Sequence, residues 1–251
     1  MKQLRYFFSI VFFTLSTNVW ANPPSVVVAA NMKPAMDEIY HEYKQSTGQT
    51  LRIIYGSSGN LTRQIQQGAP FHLFVSADES YPLILSQQGL TVDQGKVYAI
   101  GRLALIVHAN RKIPLSLNQS NLKKIIQDAN RVAVAKPELA PYGKAAIEFL
   151  VKMQLKEIAK NKFVYAENIS SATTYVSSGA ADIGFTAYSL AQSKELAGKV
   201  DYLLIPHHLH QPIRQRMVLI KHAPQEVVQF YNFLQNEKAR RIIQAHGYSL
   251  P

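Results

Sequence analysis

The sequence predicts an α/β protein of two lobes joined by two crossings, with a discontinuous first lobe and a ligand cleft between the lobes. Three observations carry this. Short apolar or β-branched runs alternate with amphipathic helical patterns along most of the chain, the order of a parallel α/β sheet. One extended run, Lys96 to Ala109, exceeds an ordinary strand and can leave one sheet to enter another. A second, Pro212 to Lys221, can carry the chain back before a helical C-terminus. Lobes joined in this way can close about a ligand.

The chain has 251 residues, above the usual size of one domain. Lys2 and Arg5 precede an apolar run from Tyr6 to Leu15, and Val19-Trp20-Ala21 is a small-x-small cleavage site. Residues 1–21 therefore read as a secretory signal peptide, the mature chain beginning at Asn22 and lying in the periplasm. The apolar run is too short to span a bilayer. The absence of cysteine excludes disulfides and thiolate metal sites. The formal charge is +11, and removing Lys2 and Arg5 leaves +9 (11 minus 2). The basic residues are scattered and form no stripe interleaved with aromatics, which argues against nucleic acid as partner. The excess positive charge still draws anions over long range.

Element by element, Ser25 to Ala30 is a continuous apolar run, as in a strand buried on both faces, and Asn31 follows it directly. Pro34 to Gln45 carries Met36, Ile39, Tyr40 and Tyr43 at helical spacing. Pro34 suits the first turn of that helix and Gly48 its end. Leu51 to Tyr55 is a strand, Gly56-Ser57-Ser58-Gly59 a turn, and a helix then runs to Gly68-Ala69-Pro70. Phe71 to Ser76 is a strand and Tyr81 to Gln88 a helix. In the long run from Lys96, Gly101 allows a bend. A second series follows: a helix at Leu122 to Asp128, a strand at Arg131 to Ala135, a loop from Pro137 to Gly143 and a helix at Lys144 to Met153. Lys162 to Tyr165 is a strand, Asn168-Ile169-Ser170-Ser171 opens a helix ending at Gly179, Asp182 to Thr186 is a strand and Leu190 to Leu196 a helix. Val200 to Pro206 is a further strand, and the chain closes on helices at Pro224 to Leu234 and Glu237 to Ala245. Residues 22–102 plus 207–251 thus form lobe 1, and 103–206 form lobe 2.

Strand, glycine turn, hydroxyl residue and helix, in that order, make an anion cradle around Ser57-Ser58. The first N–H groups of a helix lack internal partners, and each helix start carries about +0.5 charge. Three other loops have the same form, holding Asn31, Tyr142-Gly143 and Ile169-Ser170, so two belong to each lobe. Ligands of open sheets bind beyond the carboxyl ends of the strands, where these four loops would meet. The donors are neutral: an amide, hydroxyls, a phenol and free backbone N–H. Each residue has a plainer reading beside this one. Ser58 and Asn31 can cap helices, Tyr142 can be a core aromatic, and Ile169 alone would be core. His207-His208-Leu209-His210 resembles a metal cluster but has no carboxylate near it in sequence. The serine-hydrolase pattern G-x-S-x-G is absent. Asp78-Glu79 are adjacent, so their side chains diverge, and Glu167 and Asp182 read as solvated or structural.

The chain resembles the periplasmic molybdate-binding proteins of bacterial ABC importers. The resemblance rests on Ala29-Ala30-Asn31, Gly56-Ser57-Ser58-Gly59, Gly68-Ala69-Pro70, Ser76-Ala77-Asp78-Glu79, Tyr98-Ala99-Ile100-Gly101, Ala140-Pro141-Tyr142-Gly143, Ser178 to Phe185 and Gly247-Tyr248, in that order, and it covers Val26 to Pro251. It implies a two-lobed periplasmic-binding-protein fold of type II, a non-enzymatic role, molybdate or tungstate as ligand, a membrane permease as partner, a monomer and no cofactor. It also implies that Asn31, Ser58, Tyr142 and Ile169 hold the oxyanion, the last by its backbone N–H, with Ala30 and Ser57 beside them. These four would also be the residues about the molybdenum centre. Where other members use a tyrosine, this chain has Ala187, which agrees with Tyr142 taking that role. Molybdate and tungstate are fully ionised at neutral pH and need only donors, whereas hydrogen phosphate carries a proton and needs an acceptor. Sulfate and thiosulfate need donors too and form the alternative. A reading of another class is an envelope metalloenzyme using His207, His208 and His210.

Overall fold

The computed structural model describes residues 23–251, so the predicted signal peptide lies outside the described residues. Strands β1 (Ser25–Ala29), β2 (Arg52–Gly56), β3 (Leu73–Val75), β4 (Lys96–Gly101) and β10 (Ile213–Leu219) form one sheet, ordered β2-β1-β3-β10-β4. Strands β5 (Leu103–His108), β6 (Val132–Ala135), β7 (Phe163–Ala166), β8 (Ile183–Ala187) and β9 (Val200–Leu204) form a second, ordered β7-β6-β8-β5-β9. The predicted α/β class with two sheets is what is found.

The sheets are not purely parallel. β1 pairs in parallel with β2 and β3, and β6 with β7 and β8. The crossing strands run the other way: β10 is antiparallel to β3 and β4, and β5 to β8 and β9. The reason is topological. A strand that arrives from the other lobe enters from the cleft side, opposite in direction to strands that follow a helix of their own lobe.

The run expected at Lys96 to Ala109 is two strands, β4 in the first sheet and β5 in the second, with Arg102 between them. Gly101 ends β4 at the change of sheet, with no left-handed φ. It is glycine for space: a Cβ there would stand 2.1 Å from Tyr142 Oη and 2.5 Å from Gln215 Nε2.

The helices of the first half are α1 (Lys33–Thr47), α2 (Ser58–Gln66), α3 (Ser80–Gln87), α4 (Gln119–Asp128) and α5 (Pro141–Lys152). Those of the second are α6 (Lys156–Ala159), α7 (Ile169–Ser177), α8 (Tyr188–Ala191), α9 (Gln225–Phe233) and α10 (Glu237–Ala245). Three differ from expectation. α5 begins at Pro141 rather than Lys144, because proline fits the first turn, so Tyr142 and Gly143 are helical rather than loop residues. α6 lies between Met153 and Lys162, where no element is predicted. The helix expected at Leu190 to Leu196 is α8 followed by a 3₁₀ turn, Lys194–Leu196. No helix among the described residues is long and apolar enough to cross a membrane.

Packing explains the discontinuous lobe. Met36, Ile39 and Tyr43 lie along one face of α1 and are at most 1% exposed. They share a core with Phe230 of α9, Ile243 of α10 and Tyr248. The Tyr43 ring lies 4.9 Å from that of Phe230 and 5.3 Å from that of Phe233. Each such side chain contributes about 1.5–3 kcal/mol on burial, so the C-terminal helices are bound to the first lobe by several contacts of that size. Between the lobes the packing uses small residues: Ala29, Ala30 and Ala77 join the core cluster of the second sheet. Their lack of bulk lets the strand ends approach closely.

Candidate functional site

The β1–α1, β2–α2, β6–α5 and β7–α7 connections meet where the lobes face each other and line a cavity of about 10 Å³. All the residues predicted for the site line it, namely Ala30, Asn31, Ser57, Ser58, Tyr142 and Ile169. Each is 4% exposed or less, so the lobes are shut over it. Among the described residues no charged side chain lines the cavity.

The helix starts are left open toward this space. The 3₁₀ turn Ala30–Met32 and helices α2 and α5 begin without a side-chain cap. Neither Asn31 nor Ser58 therefore caps a helix. At α7, Asn168 accepts from Ser171 N–H at 2.9 Å, which leaves the N–H groups of Ile169 and Ser170 unclaimed by that cap. Gly59 N–H of α2 is taken by the Leu139 carbonyl and Pro141 of α5 has none to give, but the other uncapped first-turn N–H groups are donors seeking an acceptor, and the helix dipoles favour an anion.

The hydroxyls are oriented by what they accept. Ser58 Oγ accepts from Ala77 N–H at 3.0 Å, and Tyr142 Oη accepts from Gln215 Nε2 at 3.0 Å. With a lone pair taken on the protein side, each O–H is free to point into the cavity. Ser57 Oγ is buried with no protein partner among the described residues. Asn31 Nδ2 donates to Gln215 Oε1 at 3.0 Å and to Tyr248 Oη at 2.9 Å, while its Oδ1 has no partner among the described residues. The Asn31 carbonyl accepts from Ser189 Oγ and Tyr248 Oη, each at 2.9 Å. Burial pushes the Tyr142, Tyr98 and Tyr248 hydroxyls well above the ordinary phenol range. All three stay protonated, and hence able to donate, at any physiological pH.

Four residues behind the cavity are absent from the predicted set: Tyr98, Ser189, Gln215 and Tyr248. Gln215 is fully buried, and its Oε1 lies 2.8 Å from Tyr98 Oη. The sequence does carry a signal for it. Ile213, Gln215 and Met217 alternate along β10 with Arg214 and Arg216, so period-2 geometry puts the glutamine on the inner face.

The lobes are tied across the cavity by groups outside its lining as well. Tyr81 Oη donates to the Glu138 carbonyl at 2.8 Å, and Asn60 Nδ2 to Glu167 Oε1 at 2.8 Å. Gly59 N–H donates to the Leu139 carbonyl at 2.9 Å, and Ser170 Oγ to the Ala30 carbonyl at 3.0 Å.

The remaining candidates have structural partners. Glu79 pairs with Arg214 and Arg216, both at 2.7 Å, and Asp78 accepts from Ser76, Ser80 and the Tyr81 N–H. Asp182 pairs with Arg111 and accepts from two backbone N–H groups. The His207 and His210 rings are 6.4 Å apart, and His210 Nδ1 meets the Gln211 carbonyl at 2.7 Å. Among the described residues no group of three or more His, Cys, Asp or Glu side chains is placed to hold a metal ion.

A family model for bacterial extracellular solute-binding proteins matches residues 24–249. The chain is 34% identical over 224 residues to the molybdate-binding protein ModA of Rhodobacter capsulatus, covering 88% of this chain and 86% of that one. It is 34% identical over 232 residues to ModA of Azotobacter vinelandii, covering 90% and 89%. The solved structure of the Azotobacter vinelandii periplasmic molybdate-binding protein superposes with a TM-score of 0.81 at 33% identity, over 91% of this chain and 99% of that one.

Proposed function

We infer from the chain's family, for it belongs to the bacterial extracellular solute-binding proteins, that the interlobe cavity is where its solute sits. We propose that the solute is molybdate, with tungstate as an equivalent, and that the protein acts as a monomer outside the cytoplasmic membrane. It delivers the anion to the membrane permease of an ABC importer and catalyses no reaction.

The observation that carries this reading is the polarity of the cavity. Uncapped helix starts and the Ser57, Ser58 and Tyr142 hydroxyls supply hydrogens, and among the described residues no carboxylate lines the space. A dianion with four equivalent oxygens suits such a lining, because hydrogen bonds and helix dipoles can hold it without a salt bridge. Asn31, Ser58, Tyr142 and the backbone of Ile169 contribute from both lobes, so the anion itself joins them. The cavity volume is about 10 Å³, room for the centre of roughly one water-sized sphere, which favours a small inorganic ion over an organic solute.

Isothermal titration of residues 22–251 with molybdate, with sulfate and hydrogen phosphate as competitors, tests the proposal. One-to-one binding that excess sulfate and phosphate fail to displace is expected. Displacement by sulfate would move the assignment to that oxyanion. Silence toward all three would remove the site.

The closure bonds should also enter the affinity. Replacing Asn60 by Ala and Tyr81 by Phe removes two cross-lobe hydrogen bonds without touching the cavity. The bond to the Glu138 carbonyl is worth about 0.5–1.5 kcal/mol, and the one to the Glu167 carboxylate, screened at an exposed position, about as much, so a loss of about tenfold is expected, with a melting temperature of the free protein close to that of the parent. An unchanged dissociation constant would mean that these bonds do not form part of the bound state.

A further inference from the structure

We propose that Gln215, which does not line the cavity, sets the hydrogen-bond polarity of the anion site by holding Asn31 and Tyr142 at once from behind. The inference rests on the anion-binding reading above and adds a positioning residue to it. Gln215 lies on β10 in the first sheet, while Tyr142 stands on α5, which packs on the second. Its amide therefore bridges the lobes directly behind the cavity, and the missing side chain of Gly101 makes the room for it.

An amide is the one common side chain of this size that gives and accepts in the same place. Gln215 Nε2 donates to Tyr142 Oη, and Gln215 Oε1 accepts from Asn31 Nδ2, with Tyr98 Oη also within 2.8 Å. Because Tyr142 receives a hydrogen from behind, its own hydrogen is turned forward. Turning both amides over exchanges the roles: Asn31 then offers an N–H to the cavity and Tyr142 donates to Gln215. In either sense one hydrogen of the Asn31–Tyr142 pair faces the anion. The glutamine enforces that outcome because it cannot accept from both.

A carboxyl group at the same place, as in Gln215→Glu, would break the rule in a titratable way. When protonated, the new side chain is an isostere of the amide, its O–H donating to Tyr142 and its carbonyl accepting from Asn31. When ionised, it accepts from both, so Asn31 and Tyr142 each turn an oxygen toward the cavity. The bound dianion then favours the protonated form, and binding takes up a proton. Affinity must accordingly fall as pH rises through the carboxyl pKa, which burial raises to about 8–9 in comparable sites.

The experiment is titration with molybdate of the wild type, Gln215→Glu and Gln215→Met between about pH 6 and about pH 9, with thermal melts to check folding. The wild type should be flat over this range. Gln215→Glu should approach wild-type affinity at the acid end and lose about 100-fold toward the alkaline end. Gln215→Met should be weaker than wild type at every pH, with no slope, and should admit hydrogen phosphate as a competitor. If Gln215→Glu does not fold, the loss and the relaxed discrimination of Gln215→Met carry the test. A Gln215→Glu protein as flat and as tight as wild type, or a Gln215→Met protein of unaltered affinity and discrimination, overturns the inference and leaves the binding reading standing. A wild type that binds no oxyanion overturns both.

Discussion

Removing the Ser58 and Tyr142 hydroxyls together, by Ser58→Ala and Tyr142→Phe, is expected to lower molybdate affinity by about a thousandfold. The two groups come from opposite lobes, on α2 and α5, and both line the cavity. A hydrogen bond to a charged group contributes about 1.5–3 kcal/mol, and every 1.4 kcal/mol is tenfold. Two such bonds give the stated range. Each substitution also leaves a buried protein group unpaired, Ala77 N–H in one case and Gln215 Nε2 in the other. The free protein should therefore melt lower, which a scan without ligand records independently. The single variants complete a double-mutant cycle. Coupling between them is expected, since one anion must touch both hydroxyls and draws the lobes together as it does so. Unchanged affinity in the double variant would show that the anion does not use this wall of the cavity.

Gly143→Ala should lower the stability of the fold and disturb the site together. A Cβ at this position would lie 2.0 Å from the Ala135 carbonyl oxygen and 2.8 Å from its carbon. Both belong to buried backbone at the end of β6, where Ala135 pairs with Ala166 of β7, so neither can easily step aside. The first turn of α5 must move instead, carrying Tyr142 with it. Overpacking of this kind costs about 3 kcal/mol, which for a chain of this size lowers the melting temperature by about 10 °C. Molybdate affinity should fall as well, because Tyr142 loses its register with Gln215. A variant with the parent's melting curve would mean that α5 can slide along the sheet without penalty.

How much of this is legible in the sequence depends on the range over which each residue's partners lie. The β-α alternation and the four strand-to-helix loops are local patterns, and they lead to the two sheets and to Asn31, Ser58, Tyr142 and Ile169 around one cavity. The antiparallel sense of β5 and β10 is not legible, because strand direction depends on which lobe the chain has just left. Tyr142 reads as a loop residue as long as Pro141 is taken for part of a loop rather than for the first residue of a helix. Gln215 escapes notice for a different reason. Between Arg214 and Arg216 it looks like one more polar surface residue, although the alternation with Ile213 and Met217 places it inside. Tyr248, near the C-terminus, meets Asn31 from 217 residues away, and no short-range rule reports such a pair.

The bonds that hold the lobes together over the cavity have a kinetic meaning. Tyr81, Asn60 and the Gly59 N–H lie outside the lining, yet they must all let go before a buried anion can escape. Residence time is thus governed by how often the two halves part, and not by the strength of the grip on the anion alone. The bonds are mainly between neutral groups, each worth about 1 kcal/mol, so the latch is light and has no strong ion pair to break. A receptor built this way can keep its cargo through a long diffusive search. It can still be unlocked by a partner that seizes both halves and supplies a few kcal/mol of docking energy.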